Sequence, residues 1–151
     1  IRARHPAALH GTGRGLAAPD QFRVIPGRAA LHTQASTTNN PLLSELAPTN
    51  TLWIHTERAQ ALGIAGGDWV EVCTATGPVG RLRAKVTTGI HPEAVFMLHG
   101  WQENAQETRA FGKGVADEAC MVSGLEYEDP LGGGLALQKH FVTIRKAEET
   151  N

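Results

Sequence analysis

Apolar and polar residues alternate along several stretches of the chain, the spacing that gives a strand one buried and one solvated face. Val70 and Val72 mark one such strand over residues 69–73, and Leu82, Ala84 and Val86 mark another over residues 80–87. Thr76-Gly77-Pro78 between them reads as a hairpin connection. Short apolar runs predict further strands at 22–25, ended by Pro26-Gly27, at 52–54, at 94–98 after a turn at His91-Pro92, and at 141–145.

Helical spacing is confined to short pieces. Thr56 is placed to cap a helix carrying Ala59, Ala61 and Leu62, with Gly63 as its left-handed stop and Ile64 closing over the end. Ala65-Gly66-Gly67-Asp68 then forms a tight turn in which a short carboxylate accepts from backbone N–H groups. Asn40-Pro41 opens one or two helical turns with Leu42, Leu43 and Leu46 expected to face inward. Residues 102–109 are polar loop or short helix, Phe111-Gly112-Lys113-Gly114 is a glycine-rich connection, and Pro130 with Gly132-Gly133-Gly134 forms a turn. The expected fold is mainly β with short helices. Residues 1–21 form a linker or leader, 22–146 a barrel domain, and 147–151 a charged tail.

A helix ending at Gly-Ile, then a Gly-Asp turn and a hairpin, resembles the repeat element of a double-psi β-barrel, the aspartate-decarboxylase-like barrel. Such a likeness concerns fold and names no chemistry.

The chain has 151 residues, 41% hydrophobic and 19% charged, which suits one globular domain with a core of its own. A net charge of −1 gives no electrostatic drive toward polyanions, so nucleic acid is not an expected partner. Cys73 and Cys120 lack the short spacings of zinc or iron–sulfur ligands. No apolar run approaches the roughly 20 residues that cross a bilayer as a helix, so direct membrane insertion is not expected. The chain starts at Ile1. Processing, a subunit boundary or excision from a longer chain would each give that start.

Chemistry-bearing side chains concentrate after the first strand: Arg28, His32, Thr33, Gln34, Ser36, Thr37, Thr38, Asn39 and Asn40. Such residues also make ordinary polar loops, because short hydroxyls and amides bond the local backbone. The same set suits a nucleotide-like ligand, since hydroxyls and turn N–H groups satisfy phosphate oxygens and amides match a heterocycle edge. His5, His10, His55, His91 and His140 are scattered without metal-ligand spacing, and Lys113 lacks the surroundings of a phosphate loop. Trp53, Trp69 and Trp101 are expected in the core or at the barrel rim.

Gly27-Arg28, His32-Thr33-Gln34, Thr38-Asn39-Asn40-Pro41-Leu42-Leu43-Ser44-Glu45-Leu46, Leu52-Trp53-Ile54 and the segment from Leu62-Gly63-Ile64 to Val72 together resemble a known domain. It is the C-terminal molybdopterin-dinucleotide-binding domain of dimethyl-sulfoxide-reductase-type molybdenum enzymes. Within that family the pattern is most similar to catalytic subunits of thiosulfate or polysulfide reductases. Phe96-Met97-Leu98-His99-Gly100-Trp101 and the region of Asp117 fit it too, so the likeness covers residues 22–146.

The resemblance implies a double-psi barrel closing over molybdopterin guanine dinucleotide, with molybdenum or tungsten as the metal. It implies that Arg28, His32, Thr33, Gln34, Thr37, Asn39 and Asn40 lie along pterin and phosphate groups, that His99 approaches a pterin, and that Asp117 meets a heterocycle. Where the family often reads Asn-Asp-Asn, this chain has Ala116-Asp117-Glu118. Nothing in it resembles the part of the family that supplies the metal ligand or the cysteines of an iron–sulfur cluster, so catalysis by this chain alone is not expected. The implied partners are the other domains of a molybdenum catalytic subunit, iron–sulfur electron-transfer subunits and a membrane-anchor subunit. The implied setting is a bacterial periplasmic membrane-associated complex, with the cytoplasm as alternative. Two other readings remain at this point: a non-enzymatic double-psi barrel of adaptor type, and the same domain from an arsenic or selenium oxyanion reductase. A self-processing pyruvoyl decarboxylase needs a Gly-Ser pair, which is absent.

Overall fold

The structure is a computed structural model that describes residues 20–38, 40–74, 77–101 and 141–147, with the side chains of Gln34, Ala35 and Val79 left out. Expectations for the leader, Asn39, Thr76, residues 102–140 (with Lys113, Asp117 and His140) and the tail beyond 147 lie outside the described residues. Among the described residues there are six strands: β1 (Gln21–Gly27), β2 (Thr51–His55), β3 (Trp69–Thr74), β4 (Gly77–Thr87), β5 (Ala94–Leu98) and β6 (Phe141–Lys146). The short helices α1 (Pro41–Leu46) and α2 (Thr56–Ala61) flank β2, and a 3₁₀ turn spans Gln34–Thr37.

The strands close into a barrel in the order β1-β5-β2-β4-β3-β6. Two pairs, β1 with β5 and β2 with β4, run parallel, while every other contact is antiparallel. Two parallel pairs in a closed six-stranded sheet are the double-psi arrangement expected from the Gly-Asp turn and hairpin. Closure gives every strand two neighbours, which removes the sheet edges that a small β domain must otherwise protect. Alternate residues point inward: Phe22 and Val24 from β1, Leu52 and Ile54 from β2, Val70 and Val72 from β3, Leu82 and Ala84 from β4, Val95 and Met97 from β5, Val142 and Ile144 from β6. They form one apolar core, which Ala59 of α2 and Ile64 cover at one end.

Four local expectations are corrected. First, β1 does not end at Pro26 but continues to Gly27, with Pro26 opposite Met97 and Gly27 opposite Leu98. Arg23 N donates to Glu93 O and Gly27 O accepts from His99 N, so odd-numbered residues of β1 face β5. Pro26 therefore faces the other side, where the described pairing with β6 covers residues 21–23, so among the described residues its missing N–H forfeits no bond. Second, Gly77 and Pro78 belong to β4 and not to a connection. The register shifts between Val72 and Cys73, so that Cys73 faces Pro78 while Val72 faces Gly80, a bulge that absorbs one extra residue.

Third, the cap of α2 is His55, not Thr56. Strand β2 runs straight into the helix, so the extended residue at the junction is His55, and its Nδ1 accepts from Glu57 N at 3.3 Å. Fourth, the leucines of α1 do not all point inward: Leu42 and Leu46 are 71% and 70% exposed. The face turned toward the protein carries Leu43, Ser44 and Ala47 instead, because Ser44 Oγ bonds Thr38 O and the Ala47 carbonyl accepts from His32.

The turn before β3 behaves as its sequence implies. Gly63 and Gly67 have φ of 65° and 88°, values that favour glycine. Asp68 Oδ2 accepts from Ala65 N at 2.8 Å and pairs with Lys146 Nζ at 2.7 Å, joining the turn to β6. The Lys146 bond first, and the Ala65 N–H second, hold the Asp68 carboxyl below its usual pKa of 3.8. A depressed folded pKa contributes stability above the unfolded value, and that stability is lost as pH falls through the folded one. Asp68→Asn is therefore expected to lower the thermal midpoint slightly at neutral pH, because the pair is solvent-exposed. Between about pH 5 and pH 2 the midpoint should fall less in the variant than in the wild type. Parallel curves across that range would disprove the contribution.

On the outer face, Glu71 lies opposite both Arg145 and Arg81 in the ladders. It pairs with Arg145, whose Nε donates to Oε2 at 2.6 Å, and more loosely with Arg81 at 3.6 Å. The Glu71 bond raises the Arg145 pKa further, while burial pushes the nearby Cys73 thiol up, so Cys73 is not set up as a nucleophile.

Candidate functional site

Because β1 and β5 are parallel, their C-terminal ends meet at one rim of the barrel, and β2, antiparallel to β5, starts there. The polar loop after β1 and the His99-Gly100-Trp101 segment after β5 are thus brought side by side. The bond from His99 N to Gly27 O, 3.1 Å, carries the ladder one step beyond the strands and fixes where the two loops diverge. Gly100 turns with φ of 84°, and Trp101 folds back into a buried position.

The loop itself is tied by its own polar groups. Thr37 Oγ1 accepts from Thr33 N at 2.8 Å and sits 3.3 Å from His32 Nδ1. His32 Nε2 lies 3.0 Å from the Ala47 carbonyl. A carbonyl can only accept, so Nε2 carries the proton there and Nδ1 accepts from the Thr37 hydroxyl. Asn40 N donates to Thr37 O, and Asn40 Oδ1 accepts from Leu42 N at 3.0 Å and Leu43 N at 3.4 Å, capping α1. His32 is buried, and its ring meets Trp101 edge to face at 5.3 Å between centroids, 82° between planes.

The residues expected at the site therefore divide into two groups. Arg28, Thr33 and Asn40 are exposed on the loop, and His99 is half-buried beside it. His32 and Thr37 are drawn inside, where their polar atoms organise the loop. The side chain of Gln34, and Asn39 and Asp117 altogether, lie outside the described residues. Ser36 adds an exposed hydroxyl to the same loop.

Asn50, just ahead of β2, was not among the expected site residues, yet it is completely buried at this rim. Its Nδ2 donates to Leu98 O at 2.8 Å, and its Oδ1 accepts from Leu98 N at 3.1 Å. The side chain thereby supplies the bonds of a ladder partner where β2 and β5 part. An Asn just ahead of an apolar strand is the only trace of this in the sequence, and it is shared with many turns.

The outward groups are a guanidinium, hydroxyls and an amide, which donate to anionic oxygens or pair with a heterocycle edge. Among the described residues no group of three or more His, Cys, Asp and Glu stands close enough to hold a metal ion. The donor set thus fits the phosphate and heterocycle parts of a dinucleotide.

Comparison with known proteins agrees with that chemistry. The sequence pattern of the family described as "Molydopterin dinucleotide binding domain" matches residues 22–139. Over 86 residues, 57% of this chain, the sequence is 38% identical to the thiosulfate reductase molybdopterin-containing subunit PhsA of Salmonella typhimurium, of which the match covers 11%. Acetylene hydratase from Pelobacter acetylenicus superposes with a TM-score of 0.69 at 21% identity, over 83% of this chain and 18% of that one. The latter likeness concerns fold alone. The chain spans a small part of either relative.

Proposed function

Since the chain belongs to the molybdopterin-dinucleotide-binding domain family, we propose that it closes the catalytic subunit of a molybdenum oxidoreductase over molybdopterin guanine dinucleotide through the rim loops after β1 and β5. Arg28, Thr33, Asn40 and His99 present the donors, with Gln34, Asn39 and Asp117 completing the set by family resemblance. His32 and Thr37 hold the loop that carries them. The observation that carries this reading is the family match over residues 22–139 with the expected loop at a barrel rim, its donors turned outward. When bound, the cofactor's metal carries the redox chemistry, and the protein's part is to bind and orient. For that step the chain supplies hydrogen bonds and one positive charge, and its buried core keeps the rim in place.

The parent reaction is proposed to be a two-electron conversion of an inorganic sulfur compound. Support comes from the likeness to a thiosulfate reductase subunit, which outweighs the general likeness of fold. Iron–sulfur and membrane-anchor subunits, and a periplasmic setting, belong to the same proposal. An adaptor-type barrel would have no use for a loop so rich in outward donors.

Binding of molybdopterin guanine dinucleotide to the 151-residue chain, followed by pterin fluorescence, tests the cofactor role. Weak binding is expected, because the other domains of a catalytic subunit would enclose the rest of the ligand. It should be lost on replacing Asn39 and Asn40 together by alanine, and unchanged affinity in that variant would reject the loop assignment. Assay of the parent enzyme with thiosulfate, polysulfide, arsenate and selenate tests the substrate class. Turnover of the oxyanions alone would reject the sulfur assignment and leave the cofactor assignment intact.

A further inference from the structure

We infer that Asn50 and His32 are positioning residues that lock the two rim loops into one unit, so that the donors on both reach the dinucleotide in a fixed relative position. The inference rests on the cofactor reading for its ligand and on geometry for the lock. Four contacts close a circuit around the rim. His32 bonds the Ala47 carbonyl at the end of α1, and Ala47 leads within three residues to Asn50. Asn50 holds both backbone groups of Leu98, which leads within three residues to Trp101, and Trp101 packs on the edge of His32.

Each link lies beyond the described strand pairing of the segments it joins. The described pairing of β2 with β5 is Trp53 with Phe96 and Ile54 with Val95, so it stops short of Asn50 and Leu98. Beyond that point the Asn50 side chain bridges the two segments. On the other side, His32 bridges the loop after β1 to the chain leaving α1. Asn50 bonds the Leu98 backbone through both ends of its amide, and His32 bonds the Ala47 carbonyl and the Thr37 hydroxyl. Asn50 is fully buried, a setting in which each bond is shielded from competing water. A side chain so occupied has its effect on a ligand through the loops it holds. The exposed Arg28, Thr33 and Asn40 and the half-buried His99 are carried on those loops, and binding gains when such groups are held in place beforehand.

The lock predicts coupling at a distance. In the full chain, His32→Phe keeps a ring against Trp101 but loses the bond to Ala47. It should speed hydrogen exchange at the Leu98 amide about tenfold, the scale set by losing a buried bond, although the His32 bonds go to Thr37 and Ala47 and not to Leu98. Asn50→Ala should in turn speed exchange at the Asn40 amide, which bonds Thr37 O. Exchange at Val95 and Val70, in the middle of the barrel, should stay at the wild-type rate in both. Asn50→Asp keeps the acceptor for Leu98 N and loses the donor to Leu98 O. It serves if the alanine variant does not fold, with the same pattern expected. Affinity for molybdopterin guanine dinucleotide should fall about tenfold in each single variant and little further in the double variant, as members of one network do. Loosening confined to the mutated side, or affinity losses that add in full, would overturn the lock. A wild-type chain that takes up no dinucleotide while the amides remain coupled would reject the cofactor reading and leave the lock standing.

Discussion

Ile54→Ala is expected to destabilise the barrel by about 2–5 kcal/mol, the range for truncating a buried aliphatic side chain that leaves a cavity. Ile54 has no exposed surface and lies in β2, the strand hydrogen-bonded to β4 on one side and β5 on the other. Its ladder partners Val86 and Val95 stand beside it on the same inner face, and the closed sheet gives them little freedom to collapse into the gap. Because domains of this size are stable by only about 5–15 kcal/mol, the loss should be plain in denaturant titration as a lower midpoint with an unchanged slope. A change below about 0.5 kcal/mol, the range of ordinary surface substitutions, would mean that the core is not packed as described.

The second large effect is expected from Gly27→Ala. A Cβ on Gly27 would lie 2.0 Å from Phe96 Cε2 and 2.5 Å from Cζ, inside any permitted contact. The Phe96 ring lies against the Gly27 backbone and also tilts onto Trp53, with 5.0 Å between centroids. Lys85 Nζ lies over the same indole, 3.8 Å from the ring centroid. Moving the ring therefore disturbs Trp53 as well, and moving the backbone displaces the end of β1 from which the rim loop departs. Overpacking of this kind costs about 1–3 kcal/mol. The double variant Gly27→Ala with Phe96→Ala isolates the cause: the cost of the glycine change should nearly vanish once the ring is gone. If it persists in full, the clash is not the reason glycine stands there.

The rim also shows how a site can be read in part from its residue types. Hydroxyls and amides after the first strand marked the loop, and the short helix that follows was marked by Asn40-Pro41, where the asparagine does cap and the proline opens the first turn. What residue type did not reveal was which members face a ligand and which face each other. His32 and Asn40 are both polar and adjacent to the same 3₁₀ turn, yet one is buried with both ring nitrogens engaged and the other is exposed. The direction of α1 was likewise hidden. Three leucines in a six-residue helix look like an inward face, but the bonds at Thr38 and Ala47 set its rotation and leave two of them outside.

The amino-acid order by itself determined the strands, the short helices between them and the residues of the core. Period-two patterning and turn-forming glycines act over a few neighbouring positions, so the strand of residues 94–98 and the Gly67-Asp68 turn follow from local chemistry alone. Only the tertiary structure decided that β1 lies parallel to β5, that Pro26 can sit inside a strand because its nitrogen faces away from β5, and that Asn50 meets Leu98 across 48 residues of chain. The reason is that a polar side chain is satisfied or stranded according to what the closed barrel brings beside it, and sequence neighbours carry no record of that.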